Sequence, residues 1–117
     1  SYVANQTIKC MNKKGKMVKD AQILVLGITF KENCPDIRNT KVVDIWHTLR
    51  EYTPNITLLD PWADESMVRQ EYGLSITRQI GEEKFDAIIL AVAHQQFLNT
   101  WRKTGLFMMS RESSQLL

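Results

Sequence analysis

"AQILVLGITFKENCPDIRNTK", residues 21–41, runs from an unbroken apolar stretch through a glycine into a loop dense in charge. The apolar part has the length of a strand and no polar alternation, which is the pattern of a strand buried on both faces. A glycine at the end of such a strand often opens a phosphate-binding turn, where further glycines let backbone amides approach a pyrophosphate. Here Ile28, Thr29 and Phe30 follow Gly27, and their side chains would block that approach. Lys31, Glu32, Asp36 and Arg38, stiffened by Pro35, stand where the glycines would be.

On either side of this stretch, helix and strand signals alternate. Val3, Ala4, Thr7, Ile8 and Met11 recur at helical spacing, with Lys9, Lys13 and Lys14 toward the end and Gly15 as a C-cap. The lysines fit the negative end of a helix dipole, a more economical reading than a phosphate patch. Val42, Ile45, Trp46 and Leu49 mark a second amphipathic helix, for which Asn39 or Thr40 is the cap. "NITLLDP" reads as a strand stopped by Pro61, and "DESMVRQEYG" as a short helix with acids in its first turn and Gly73 just beyond it. "LSIT" reads as a further short strand, "FDAIILAVAH" as the clearest strand of all, and "QQFLNTWRKTG" as a helix. Strands alternating with helices predict an α/β fold: a three-layer, doubly wound, Rossmann-like and mostly parallel sheet in a single domain.

The bulk properties fit. With 117 residues the chain is of one-domain size and buries roughly two thirds of its unfolded surface. A net charge of +2 is too small to argue for nucleic acid, and no apolar run nears the ~20 residues of a membrane span. The first residues, "SYVANQTIKCMNKKGK", lack the apolar core of a signal peptide, so a cytoplasmic location is expected. Cys10 and Cys34 form no C-x-x-C pair and are expected to be free thiols, with no metal site.

Right-handed crossovers bring every strand's carboxyl end to one edge of such a sheet, and ligands of open α/β sheets bind there. That edge should collect Gly27–Arg38, Asp60–Pro61–Trp62 and Ala93–His94–Gln95. Asp60 stands where a ribose-binding acid would, but much farther along the chain from Gly27 than the usual ~20 residues. A free-standing dinucleotide site is therefore not expected. Lys31 and Arg38 suit phosphate oxygens, Phe30 offers a flat apolar face, and Asp36 is placed to orient Arg38. An internal ion pair of Asp36 with Arg38 or Lys31 that only shapes the loop is the alternative, and both readings stay open on these residues alone.

"VLGITFKENCPDIRNTKVVDI", with "LLDPWAD" and "AIILAVAHQQF", closely resembles the C-terminal domain of the UDP-glucose/GDP-mannose dehydrogenase family of nucleotide-sugar 6-dehydrogenases. The family pattern G-[LI]-x-F-K-x-[ND]-x-x-D-x-R-x-[ST] is matched at every fixed position from Gly27 to Thr40. Glu32, Asn33, Cys34, Pro35 and His94 resemble the branch acting on UDP-N-acetylhexosamines, which serves bacterial capsule and O-antigen synthesis. The resemblance covers about residues 1–105. It implies oxidation of the sugar C6 hydroxyl to a carboxylate with two NAD+, through a thiohemiacetal on a catalytic cysteine. It also implies that the NAD-binding and central domains, with that cysteine, lie outside these residues, that the complete enzyme is a homo-oligomer, and that this part alone does not turn over. No nucleic-acid or membrane partner is implied.

Residue by residue, the resemblance places Phe30 and Lys31 on the nucleotide-sugar and Arg38 across the interdomain cleft toward the NAD pyrophosphate. Asp36 is left to hold the loop, and His94 to contact a ligand or order its own loop. Cys34 is not expected to be the nucleophile. Trp62 and Trp101 are read as packing residues, and Asp60 as capping the turn at Pro61. Residues 1–15 correspond to the end of a central linking and dimerisation helix, and 16–117 to the nucleotide-sugar-binding domain. After Gly105 the family continues with a basic strand, whereas this chain reads "LFMMSRESSQLL". The domain is thus expected to be truncated or divergent at this end and to lack an edge strand. A non-catalytic α/β module that pairs through its first helix is the competing reading.

Overall fold

Ile23–Leu26 (β1) is the central strand, and all four residues are buried. The computed structural model describes residues 2–28, 40–80, 84–91 and 108–110. Around β1 lie Ile56–Leu59 (β2) and Ala87–Leu90 (β3), each parallel to it, and Met108–Ser110 (β4) runs parallel to β3. The sheet order is β2-β1-β3-β4. Leu26 is in register with both Leu59 and Leu90, and Leu90 with Ser110, so the four carboxyl ends form one level edge. "LSIT" contributes a single parallel bridge, Thr77 to Leu59, rather than a strand. It lies outside β2, where a third strand stands in a doubly wound sheet.

Both faces of the sheet are covered. On one, Ile23, Val25, Leu58, Ala87 and Ile89 pack with Val42, Ile45 and Leu49 of helix α2 (Thr40–Arg50) and Val68 of helix α3 (Glu65–Tyr72). Val3, Ala4, Ile8 and Met11 of helix α1 (Tyr2–Lys13) join the same core, and α1 packs against α2, β3 and β4. Thr7 is tolerated there because its hydroxyl donates to the Val3 carbonyl at 2.9 Å. On the other face, Leu24, Leu26, Leu59, Phe85, Ile88 and Leu90 are buried together, with Trp62 and Ile80 packed against them. The all-apolar sequence of β1 follows from this two-sided burial.

The helix ends are set locally. Asp64 caps α3, its carboxylate accepting from Ser66 N and Met67 N at 2.9 and 3.2 Å. Gly73 ends the same helix at φ 70°, a left-handed conformation that costs glycine little. α1 closes similarly, with Lys16 N donating to Met11 O just past Gly15 at φ 77°. The expected helix at 95–105 and the cap Asn39 lie outside the described residues.

A second expectation, besides the strand at "LSIT", is overturned. The atypical sequence after Gly105 does not cost the sheet its edge strand, because β4 pairs with β3 through Met108–Ser110. Parallel pairing is made by backbone amides and carbonyls, so three residues suffice whether or not their side chains match a family pattern.

Candidate functional site

The chain leaves β1 for β2 on one side, while β3 lies on the other, so β1 and β3 bound the point where the strand order reverses. Two ladder bonds extend to that edge: Gly27 N donates to Leu59 O at 2.9 Å, and Ala91 N to Leu26 O at 3.0 Å. Gly27 takes φ 100°, a conformation that strains any residue with a Cβ. Its glycine is thus required by the backbone's exit from β1, without any ligand being invoked.

Beside it lies Asp60, fully buried at the end of β2. One carboxylate oxygen, Oδ1, accepts from Trp62 N at 2.8 Å and Ala63 N at 3.1 Å and so builds the turn through Pro61. The other, Oδ2, accepts from Ile28 N at 2.8 Å, across to the residue that follows Gly27. A buried carboxylate is stable only with such donors around it. The turn-capping role was legible in "DPWAD", an Asx-Pro turn signal. The bond to Ile28 was not, because 32 residues separate the partners.

The same turn is held from outside. Arg78 Nη2 donates to Ala63 O at 3.1 Å, and its Nε lies 3.8 Å from Glu65 Oε1. This contact places a cation beside the edge that sequence patterns did not mark. Trp62 is half-buried against the second core cluster, in keeping with a packing role.

The edge therefore assembles Gly27, Ile28 and Asp60–Trp62 of the expected segments, joined by Ala63 and Ala91, while Ala93–His94–Gln95 lies outside the described residues. Phe30, Lys31, Asp36, Arg38 and His94, with Cys34 and Trp101, lie outside the described residues. Cys10 is a half-buried free thiol on α1. Among the described residues no cluster of His, Cys, Asp or Glu could hold a metal ion, and no helix is long and apolar enough to cross a membrane.

A dinucleotide does not fit the described part of this edge by the usual cradle. The acid that would hold an adenosine ribose, Asp60, directs both oxygens at backbone amides, and in the sequence Thr29 stands where the second glycine of the cradle would be. What the edge does supply is an anchored start, at Gly27 and Ile28, for the charged stretch of sequence that follows.

The model of the "UDP-glucose/GDP-mannose dehydrogenase family, UDP binding domain" matches residues 24–114. A UDP-N-acetyl-D-glucosamine 6-dehydrogenase from Salmonella typhi is 48% identical over 97 residues, 83% of this chain and 23% of that protein. One of the same name from Pseudomonas aeruginosa is 46% identical over 99 residues, 85% of this chain and 24% of that protein. Protein CapL from Staphylococcus aureus is 40% identical over 97 residues, 83% of this chain and 23% of that protein. The chain thus spans about a quarter of the length of the curated relatives it matches. A solved UDP-D-ManNAc dehydrogenase from Pyrococcus horikoshii superposes with a TM-score of 0.64 at 18% identity, over 92% of this chain and 25% of that one, a likeness of fold.

Proposed function

Because the chain belongs to the UDP-glucose/GDP-mannose dehydrogenase family and carries its UDP binding domain, we propose that it is the substrate-holding part of an NAD-dependent UDP-N-acetylhexosamine 6-dehydrogenase. The supporting observation is the origin of the family-patterned loop: Gly27, its first residue, leaves the central strand at the point where strand order reverses. In this proposal Phe30 packs on the nucleotide-sugar and Lys31 bonds a phosphate oxygen. Arg38 reaches toward the NAD pyrophosphate, which the NAD-binding domain of the same enzyme mainly holds. Asp36 and His94 contact ligand or order their loops. NAD supplies the hydride acceptor, and the work of this domain is to hold the UDP moiety so that C6 reaches chemistry carried elsewhere.

Residues 1–15 are the end of the central helix and 16–117 the UDP-binding unit, within a cytoplasmic bacterial homo-oligomer that supplies uronates for capsule or O-antigen. Pairing through α1 as a non-catalytic module is disfavoured. The helix buries Val3, Ala4, Ile8 and Met11 in its own domain, and its exposed positions Asn5, Lys9 and Lys13 are polar.

The enzyme containing this domain together with its NAD-binding and central domains is expected to produce NADH, followed by absorbance, with at least one UDP-N-acetylhexosamine. No NADH with UDP-N-acetyl-glucosamine, -galactosamine or -mannosamine would overturn the proposal.

A further inference from the structure

We infer that Asp60 is a positioning residue for nucleotide binding: its carboxylate fixes the course on which the chain leaves β1 after Gly27 by holding the Ile28 amide. The inference rests on the reading that UDP occupies this edge. Ile28 is the last described residue before the segment that carries Phe30, Lys31 and Arg38. Its side chain is buried, and its amide donates to Asp60 Oδ2 at 2.8 Å, while Gly27 N donates to Leu59 O. These contacts fix two successive amides at the exit of β1 to the end of β2. The other oxygen is engaged by Trp62 N and Ala63 N. One carboxylate therefore couples two of the edge's segments, and both should move if it is altered.

The geometry allows the two functions of Asp60 to be separated. In Asp60→Asn, the single carbonyl oxygen best retains the two amides of the turn, which turns the NH2 group toward the Ile28 N–H. Two donors then face each other in a buried site, and the loop's origin must shift. A purely structural loss is reproduced at the opposite edge by Thr53→Val. Thr53 is buried, its hydroxyl donates to Ala21 O at 2.9 Å, and it accepts from Asn55 N at 3.2 Å.

The experiment measures UDP affinity by calorimetry for the unaltered chain, Asp60→Asn and Thr53→Val, with amide exchange followed by NMR. Asp60→Asn should weaken UDP binding on the order of tenfold and speed exchange at Ile28 by a similar factor, leaving Trp62 and Ala63 protected. Thr53→Val should bind UDP as the unaltered chain does. Equal UDP affinity in Asp60→Asn and the unaltered chain would overturn the positioning role alone, as would parallel losses of affinity in both variants. Failure of the unaltered chain to bind UDP would instead overturn the site reading, and the inference with it.

Discussion

Replacing Lys31 by Ala is expected to weaken UDP binding by about tenfold to a hundredfold. A charge-assisted hydrogen bond to a phosphate oxygen is worth roughly 1.5–3 kcal/mol, and each 1.4 kcal/mol is about tenfold in affinity. Calorimetric titration at low and high salt checks the origin of the loss. If Lys31 meets a phosphate, the salt dependence of UDP binding should flatten in the variant. Lys31→Met, which keeps the apolar stem and removes the ammonium, should lose as much as Lys31→Ala. Unchanged affinity in both variants would favour the other reading of the loop's charges, an ion pair with Asp36 that only shapes the loop. Such surface pairs are worth only about 0–1 kcal/mol.

Leu24→Ala should have the largest effect on stability, at about 2–5 kcal/mol. Leu24 is fully buried in the central strand, among Leu26, Leu59, Phe85, Ile88 and Leu90. With paired strands on both sides of β1, the surrounding backbone has little freedom to collapse into the space left behind. Domains of this size are stable by about 5–15 kcal/mol, so the change removes a substantial share of the total. Urea unfolding should show a lower midpoint at an unchanged slope. A loss below about 1 kcal/mol would mean that this face of β1 is not closely packed.

Much of this architecture was legible because local rules and tertiary packing agree. The helical spacing of Val3, Ala4, Thr7, Ile8 and Met11 marks the face that α1 buries, and the unbroken apolar run of β1 marks its central place. Asp64 and Gly73 act at α3 as their residue types require. The features that escaped are non-local. Whether "LSIT" extends into a strand depends on how far β2 can pair beside it, and only Thr77 does so. Met108–Ser110 becomes a strand because the edge of β3 is available to it, which no property of "MMS" announces. The reach of Asp60 to Ile28 and that of Arg78 to Ala63 join segments distant in sequence, so neither leaves a periodic trace. The candidate binding residues Phe30, Lys31 and Arg38 come by a different route, a pattern of charged positions at fixed spacing after Gly27 matched to a family rather than derived from helix or strand periodicity, and they lie outside the described residues.

The most direct test of the central claim, that the carboxyl edge of the sheet holds the UDP moiety, is to map UDP-induced amide shifts by NMR on the intact chain. The account expects shifts at Gly27, Ile28, Trp62 and Ala91, with Gln22, Asn55 and Asp86 at the opposite edge unmoved. Shifts centred on Gln22, Asn55 and Asp86, with Gly27 and Ile28 unchanged, would contradict it.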